Sequence, residues 1–152
     1  MKILSVITFT LFSIAAYASE VKTDLFTITL PDTLAVETDN ESRLLAFGKN
    51  NPYSPPFLSI EFNIQGKVSI IRENVNKELT SLGGKLTEVM CSPDCSAWYG
   101  ELEMSKENKK LSRHHYIGKN KVFSYIISYG TDEGIDKAKL FVFELASQLN
   151  KS

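Results

Sequence analysis

Val68-Ser69-Ile70-Ile71-Arg72-Glu73-Asn74-Val75-Asn76-Lys77-Glu78-Leu79-Thr80-Ser81-Leu82-Gly83-Gly84 decides the fold, because here the spacing of the apolar residues changes from a strand's to a helix's. Val68, Ile71, Val75, Leu79 and Leu82 fall at i, i+3, i+7, i+11 and i+14, a single stripe, and Gly83-Gly84 suits a left-handed cap that ends it. A helix with one apolar stripe has to lay that stripe on a sheet or another helix. The flanking segments read as the sheet.

Toward the N-terminus, Leu25 to Leu30 alternates, with Phe26, Ile28 and Leu30 on one face, and Pro31 stops the run. Arg43 to Gly48 and Phe57 to Ile64 repeat the period of two. Between them, Gly48-Lys49-Asn50-Asn51-Pro52-Tyr53-Ser54-Pro55-Pro56 holds three prolines that cannot serve an interior ladder, so an exposed loop is expected. Toward the C-terminus, Lys85 to Met90 and Ser96 to Met104 read as a hairpin turning through Cys91-Ser92-Pro93-Asp94-Cys95. Ser105 to Lys110 is a charged turn, Leu111 to Ile117 a strand, Gly118 to Lys121 a tight turn and Val122 to Tyr129 a last strand. From Asp132 to Leu149, residues Ile135, Ala138, Val142, Leu145, Ala146 and Leu149 share a helical arc behind an acidic first turn. Leu140 and Phe143 fall off that arc, which leaves Lys139 to Leu145 open to a second reading as a short strand.

The expected order is β-β-β-α-β-β-β-β-α. Hairpin-length turns imply an α+β fold: a mostly antiparallel sheet of roughly six to seven strands flanked by two helices. With its opening Phe26-x-Ile28-x-Leu30-Pro31, its long helix ending in glycines, its four-strand meander and its closing helix, the chain resembles the PsbP-type α/β/α sandwich. That architecture is shared by photosystem II PsbP proteins, a yeast Ran-binding nuclear-import factor and Eag-type chaperones of secreted effectors.

Residues 1–18 carry the three parts of a cleavable export signal: the cation Lys2, an apolar run from Ile3 to Ala16, and Ala16-Tyr17-Ala18. Cleavage is expected after Ala18, leaving 19–152 as a single globular domain in the periplasm or outside the cell. The run is shorter than the about 20 residues a spanning helix needs, and no other stretch approaches it, so no membrane insertion is expected. Lys and Arg number 17 against 18 Asp and Glu, with the signs interspersed, and nothing steers the chain toward nucleic acid.

The only cysteines are Cys91 and Cys95, and an oxidising compartment favours a disulfide between them. The alternative is a metal site built from Cys91, Cys95, Met90 and His115, ligands that suit a soft cation. Adjacent strand residues point to opposite faces, so His114 and His115 cannot both turn into one site. No nucleophile elbow, phosphate loop or dinucleotide fingerprint occurs. Ser92, Ser112 and Ser128 have no activating neighbour in the sequence, and Glu101 and Glu103 read as the wet face of a strand. No cofactor and no catalytic residue is expected, although a hydrolase whose residues converge only in the fold stays open. What remains is surface for a protein partner: Pro52, Tyr53 and Pro55 on the stiff loop, and Leu140 and Phe143 on the outer side of the last helix. The expected function is a non-catalytic exported interaction domain, in one specific form an immunity protein that neutralises a toxin delivered to the periplasm.

Overall fold

The computed structural model describes residues 18–39, 42–81, 86–94, 96–106 and 109–152. The expected leader, apart from Ala18, and the glycine cap at 83–84 lie outside the described residues. Eleven elements follow in chain order: β1 (Ala18–Lys22), β2 (Thr27–Pro31), β3 (Leu34–Asp39), β4 (Arg43–Gly48), β5 (Phe57–Phe62), α1 (Val68–Ser81), β6 (Thr87–Cys91), β7 (Trp98–Lys106), β8 (Lys109–Lys119), β9 (Ser124–Thr131) and α2 (Ile135–Leu149). Seven strands form one antiparallel sheet in the order β3-β4-β5-β9-β8-β7-β6, and β1 pairs with β2 in a separate ribbon. The two helices and the antiparallel sheet are those expected. Strands β1 and β3 were not.

The sheet has two chemically distinct faces. One buries Leu44, Ala46, Leu58, Ile60, Tyr99, Tyr116, Tyr125, Ile127 and Tyr129 beneath α2 and the β1–β2 ribbon, which contribute Val142, Leu145, Leu149, Ile28 and Leu30. Burying each Val, Leu or Ile side chain stabilises by roughly 1.5–3 kcal/mol, so this layer dominates the fold's energy. On the other face α1 sets Ile71 and Leu79 against Trp98, Leu102 and Ile117. Residues 139–145 are helical throughout, because Val142 and Leu145 belong to the stripe α2 lays on the sheet.

Two glycines let large rings lie flat across the sheet. A Cβ on Gly100 would stand 2.5 Å from the Trp98 ring, and one on Gly118 would stand 2.6 Å from the Tyr125 ring. Turns are fixed by side chains: Asn120 Oδ1 accepts from the backbone N–H groups of Val122 and Phe123, both at 2.8 Å. The two outermost strands are each interrupted by a bulge, β3 between Val36 and Thr38 and β6 between Glu88 and Met90. The pairings among β4, β5, β9, β8 and β7 run without a shift.

Candidate functional site

The proline loop between β4 and β5 is closed by a backbone bond from Gly48 N–H to the Pro56 carbonyl at 3.0 Å, and tied to the β2–β3 turn by Lys49 N–H to Thr33 O at 2.9 Å. Inside it, Asn51 Oδ1 accepts from Tyr53 N–H at 3.0 Å, and Asn51 Nδ2 donates to Ser54 Oγ at 2.9 Å. These bonds hold Tyr53 at the tip with 92% of its surface in solvent. Pro52 is exposed beside it. Pro55, joined to Pro56 by a cis peptide, turns the other way and lines a crevice of about 530 Å³ with Asn51, Pro56, Tyr129, Lys137 and Phe141.

Phe141 was not singled out in the sequence, yet it forms the wall that α2 gives to this crevice, packed edge-on against Tyr129 at 4.8 Å. Leu140 stands on the outer side of α2, 73% exposed, as expected. Phe143 does not face out. It is half-buried, 5.0 Å from the Tyr99 ring and 5.6 Å from the Tyr116 ring, because a long aromatic at the border of the helical stripe bends down onto the sheet. The five expected contact residues thus divide: Pro52 and Tyr53 at the tip, Pro55 in the crevice, Leu140 on the helix back, Phe143 half-buried against the edge of the core.

The soft-ligand set is not brought together. Met90 pairs with Tyr99 and packs on the α2 face, whereas His115 pairs with Gly100 and Ser128 on the opposite face, two strands away. Among the described residues no group of three or more His, Cys, Asp or Glu could hold a metal ion. Cys91 ends β6 and is not free; Cys95 lies outside the described residues. The turn that joins them is organised by Asp94, which accepts from Ser92 Oγ and Ser96 Oγ at 2.8 Å and from Ser96 N–H at 3.1 Å. These bonds lower the Asp94 pKa.

Two of the serines do have histidine neighbours, contrary to the sequence expectation, because antiparallel pairing and the period of two bring together residues that the sequence keeps apart. His114, fully buried, bonds Tyr99 Oη through Nδ1 at 2.6 Å and Ser112 Oγ through Nε2 at 2.9 Å. Tyr99 Oη also donates to Glu101 Oε2 at 3.1 Å. A phenol has one proton, so if the carboxylate receives it, His114 donates from Nδ1 and accepts the Ser112 hydroxyl at Nε2. Burial lowers the His114 pKa, with Glu101 opposing and Lys139 assisting, and burial foremost raises that of Tyr99. The network is a sealed polar brace under the edge of α2.

On the opposite face His115 Nδ1 lies 3.0 Å from Ser128 Oγ, and its Nε2 is buried with no hydrogen-bond partner. Burial, then the charge of Arg113, lower its pKa to about 4. A base that weak removes little proton from a serine at neutral pH.

No protein-family model and no curated protein sequence matches the chain. Among solved structures, the Saccharomyces cerevisiae Ran-binding protein Mog1p superposes with a TM-score of 0.56 over 90% of this chain and 94% of its own, at 8% identity. LpqN, involved in cell envelope biogenesis of Mycobacterium tuberculosis, gives 0.39 at 11% identity over 93% of this chain and 85% of its own. A Bacteroides thetaiotaomicron protein gives 0.43 at 17% identity, over 76% of this chain and 41% of its own. Element order, sheet topology and the Mog1p superposition agree: the chain takes the PsbP-like α/β/α sandwich fold that Mog1p also has.

Proposed function

We propose that this chain is an exported, non-catalytic domain that holds another protein through its proline loop and the adjoining side of α2. The observation that carries the reading is Tyr53, an aromatic side chain 92% exposed on a loop whose shape its own hydrogen bonds fix. A partner meeting it orders little new chain, so the ring's contact area goes into affinity and not into loop immobilisation. The crevice behind the loop, walled by Pro55 and Phe141, gives a second side chain somewhere to enter.

Export is supported by the leader-like residues 1–18, and a Cys91–Cys95 bridge by the finding that Cys91 is not free. A non-catalytic role is supported by the two serine–histidine pairs. One is sealed in the core, and the histidine of the other is a poor base. That Mog1p, with the same fold, is a Ran-binding protein supports a protein as the partner. The specific form is an immunity protein against a periplasmic toxin.

A photo-crosslinking residue placed at Tyr53 tests the reading, with one at Val122, on the β8–β9 turn, as control. A single adduct from position 53, absent from 122, suppressed by excess unlabelled parent protein and not by excess Tyr53→Ala, is expected. Equal labelling at both positions, or none at 53, counts against the docking site. Toxin sensitivity on deletion of the gene tests the immunity form.

A further inference from the structure

α1 does not cover the whole of its face of the sheet: among the described residues it packs on β8 and on side chains of β6, β7 and β9, including Glu88, Trp98, Leu102, Ile117 and Ile126. Beyond it, the pairing registers lay two rows of side chains across four strands. One row runs Leu45, Ser59, Ser128, His115, and the next runs Phe47, Phe57, Gly130, Arg113. Ser59, Ser128 and Gly130 are small residues between large ones. They form the floor of a recess of about 230 Å³.

The two walls differ in chemistry. Leu45, Phe47 and Phe57 make one side, the two rings edge-on at 5.9 Å. Arg113 and His115 make the other. Arg113 is solvent-exposed and makes no ion pair among the described residues, and no carboxylate lines the recess. His115 is uncharged at neutral pH, so the single formal charge on the lining is positive. The buried, unpartnered Nε2 of His115 is an independent mark of this spot, since a buried polar atom left unsatisfied is uncommon in folded chains.

We propose that this recess binds a small organic monocarboxylate with an apolar body, its carboxylate on Arg113 and the serine hydroxyls and its body on Leu45, Phe47 and Phe57. A guanidinium offers a carboxylate paired donors, and the hydroxyls of Ser59 and Ser128 lie on the floor beside it. The volume lies below the ~300–1,000 Å³ of sites for drug-sized ligands, which limits the occupant to a compact acid. This site is separate from the proline loop and does not depend on the docking reading.

The test titrates benzoate and benzamide, the same ring with and without the charge, into the purified protein while backbone amide signals are followed by NMR. Benzoate is expected to shift Ser59, Ser128 and Gly130 saturably, with benzamide at least about tenfold weaker. Arg113→Gln, at an exposed position, lowers benzoate affinity by about tenfold or more and leaves benzamide unchanged, and Ser59→Leu abolishes both by filling the floor. Equal affinity for the two ligands, no saturable shift, or benzoate binding untouched by Arg113→Gln would overturn the proposal. So would a short peptide with a free C-terminal Phe that outcompetes benzoate about tenfold, since the site would then serve chain ends.

Discussion

Removing the hydroxyl of Tyr99 separates the buried brace from ordinary core packing. In Tyr99→Phe the ring stays, but His114 Nδ1 loses the one partner it has among the described residues and Glu101 loses a donor. His114 is fully buried, so water cannot replace the phenol. An unsatisfied buried group costs ~1–3 kcal/mol, and the bond to a half-exposed carboxylate adds less, giving a total near 2–3 kcal/mol. For a chain of this length each kcal/mol lowers the melting temperature by about 2–4 °C, so a fall of about 4–12 °C is expected. His114→Leu removes the ring, strands the Ser112 hydroxyl, and leaves Tyr99 its bond to Glu101. The double variant has neither the orphaned imidazole nor its phenol, and it should cost less than the two single changes together by at least ~1 kcal/mol. Urea unfolding followed by the fluorescence of Trp98, the only tryptophan and 2% exposed, reads all three. Costs that add to within about 0.5 kcal/mol would refute the brace and leave only packing.

Acid should expose His115. Its folded pKa of about 4 lies below its unfolded value of about 6.5, so the unfolded chain takes up a proton the folded one refuses. Stability therefore falls as pH drops from about 6.5 toward 4, by up to roughly 3 kcal/mol, and His115→Gln should flatten that stretch of a pH series of urea midpoints. Gly100→Ala drives a methyl into the Trp98 ring and the Leu86 side chain, and should cost about 1–3 kcal/mol with a shifted Trp98 emission; an unchanged midpoint would show that the ring has room to move. Tyr53→Ala should leave the unfolding midpoint within about 0.5 kcal/mol of the parent while removing partner capture, and a large loss of stability would mean the ring packs on the domain. The proposed Cys91–Cys95 bridge predicts that reduction releases two thiols, counted by thiol titration, and lowers stability by less than the ~2–4 kcal/mol typical of disulfides, because so short a loop constrains the unfolded chain little; two free thiols before reduction would refute the bridge.

The layers were legible in the sequence because they rest on period. Val68 to Leu79 and Ile135 to Leu149 advertise one stripe each, and the alternation in β2, β4, β5 and β9 marks one buried face. β1 and β3 were missed for two different reasons. In β1 only Ser19 and Val21 are partly covered, and the segment adjoins a leader-like run. In β3 the bulge at Val36–Thr38 breaks the alternation that would announce it. Phe143 was placed wrongly because a helical wheel locates Cβ atoms, while an aromatic side chain reaches well past its own position. Phe141 went unnoticed for the same reason on the opposite flank. The pairs His114–Ser112 and His115–Ser128 show the other limit. The first joins residues two apart on one strand face, which a period of two could have suggested, but the second needs the β8–β9 register, which is fixed by the Asn120 turn.

The interrupted margins of the large sheet bear on how the molecule behaves in a crowd. A flat outer strand offers its free amides and carbonyls to any neighbour, and two copies meeting there would extend one ribbon into the next. Here each rim is kinked by one surplus residue, so a second copy could match only a few rungs before falling out of step. The irregularity that hid one strand from view in the sequence is the same one that discourages the protein from growing into fibres at high concentration.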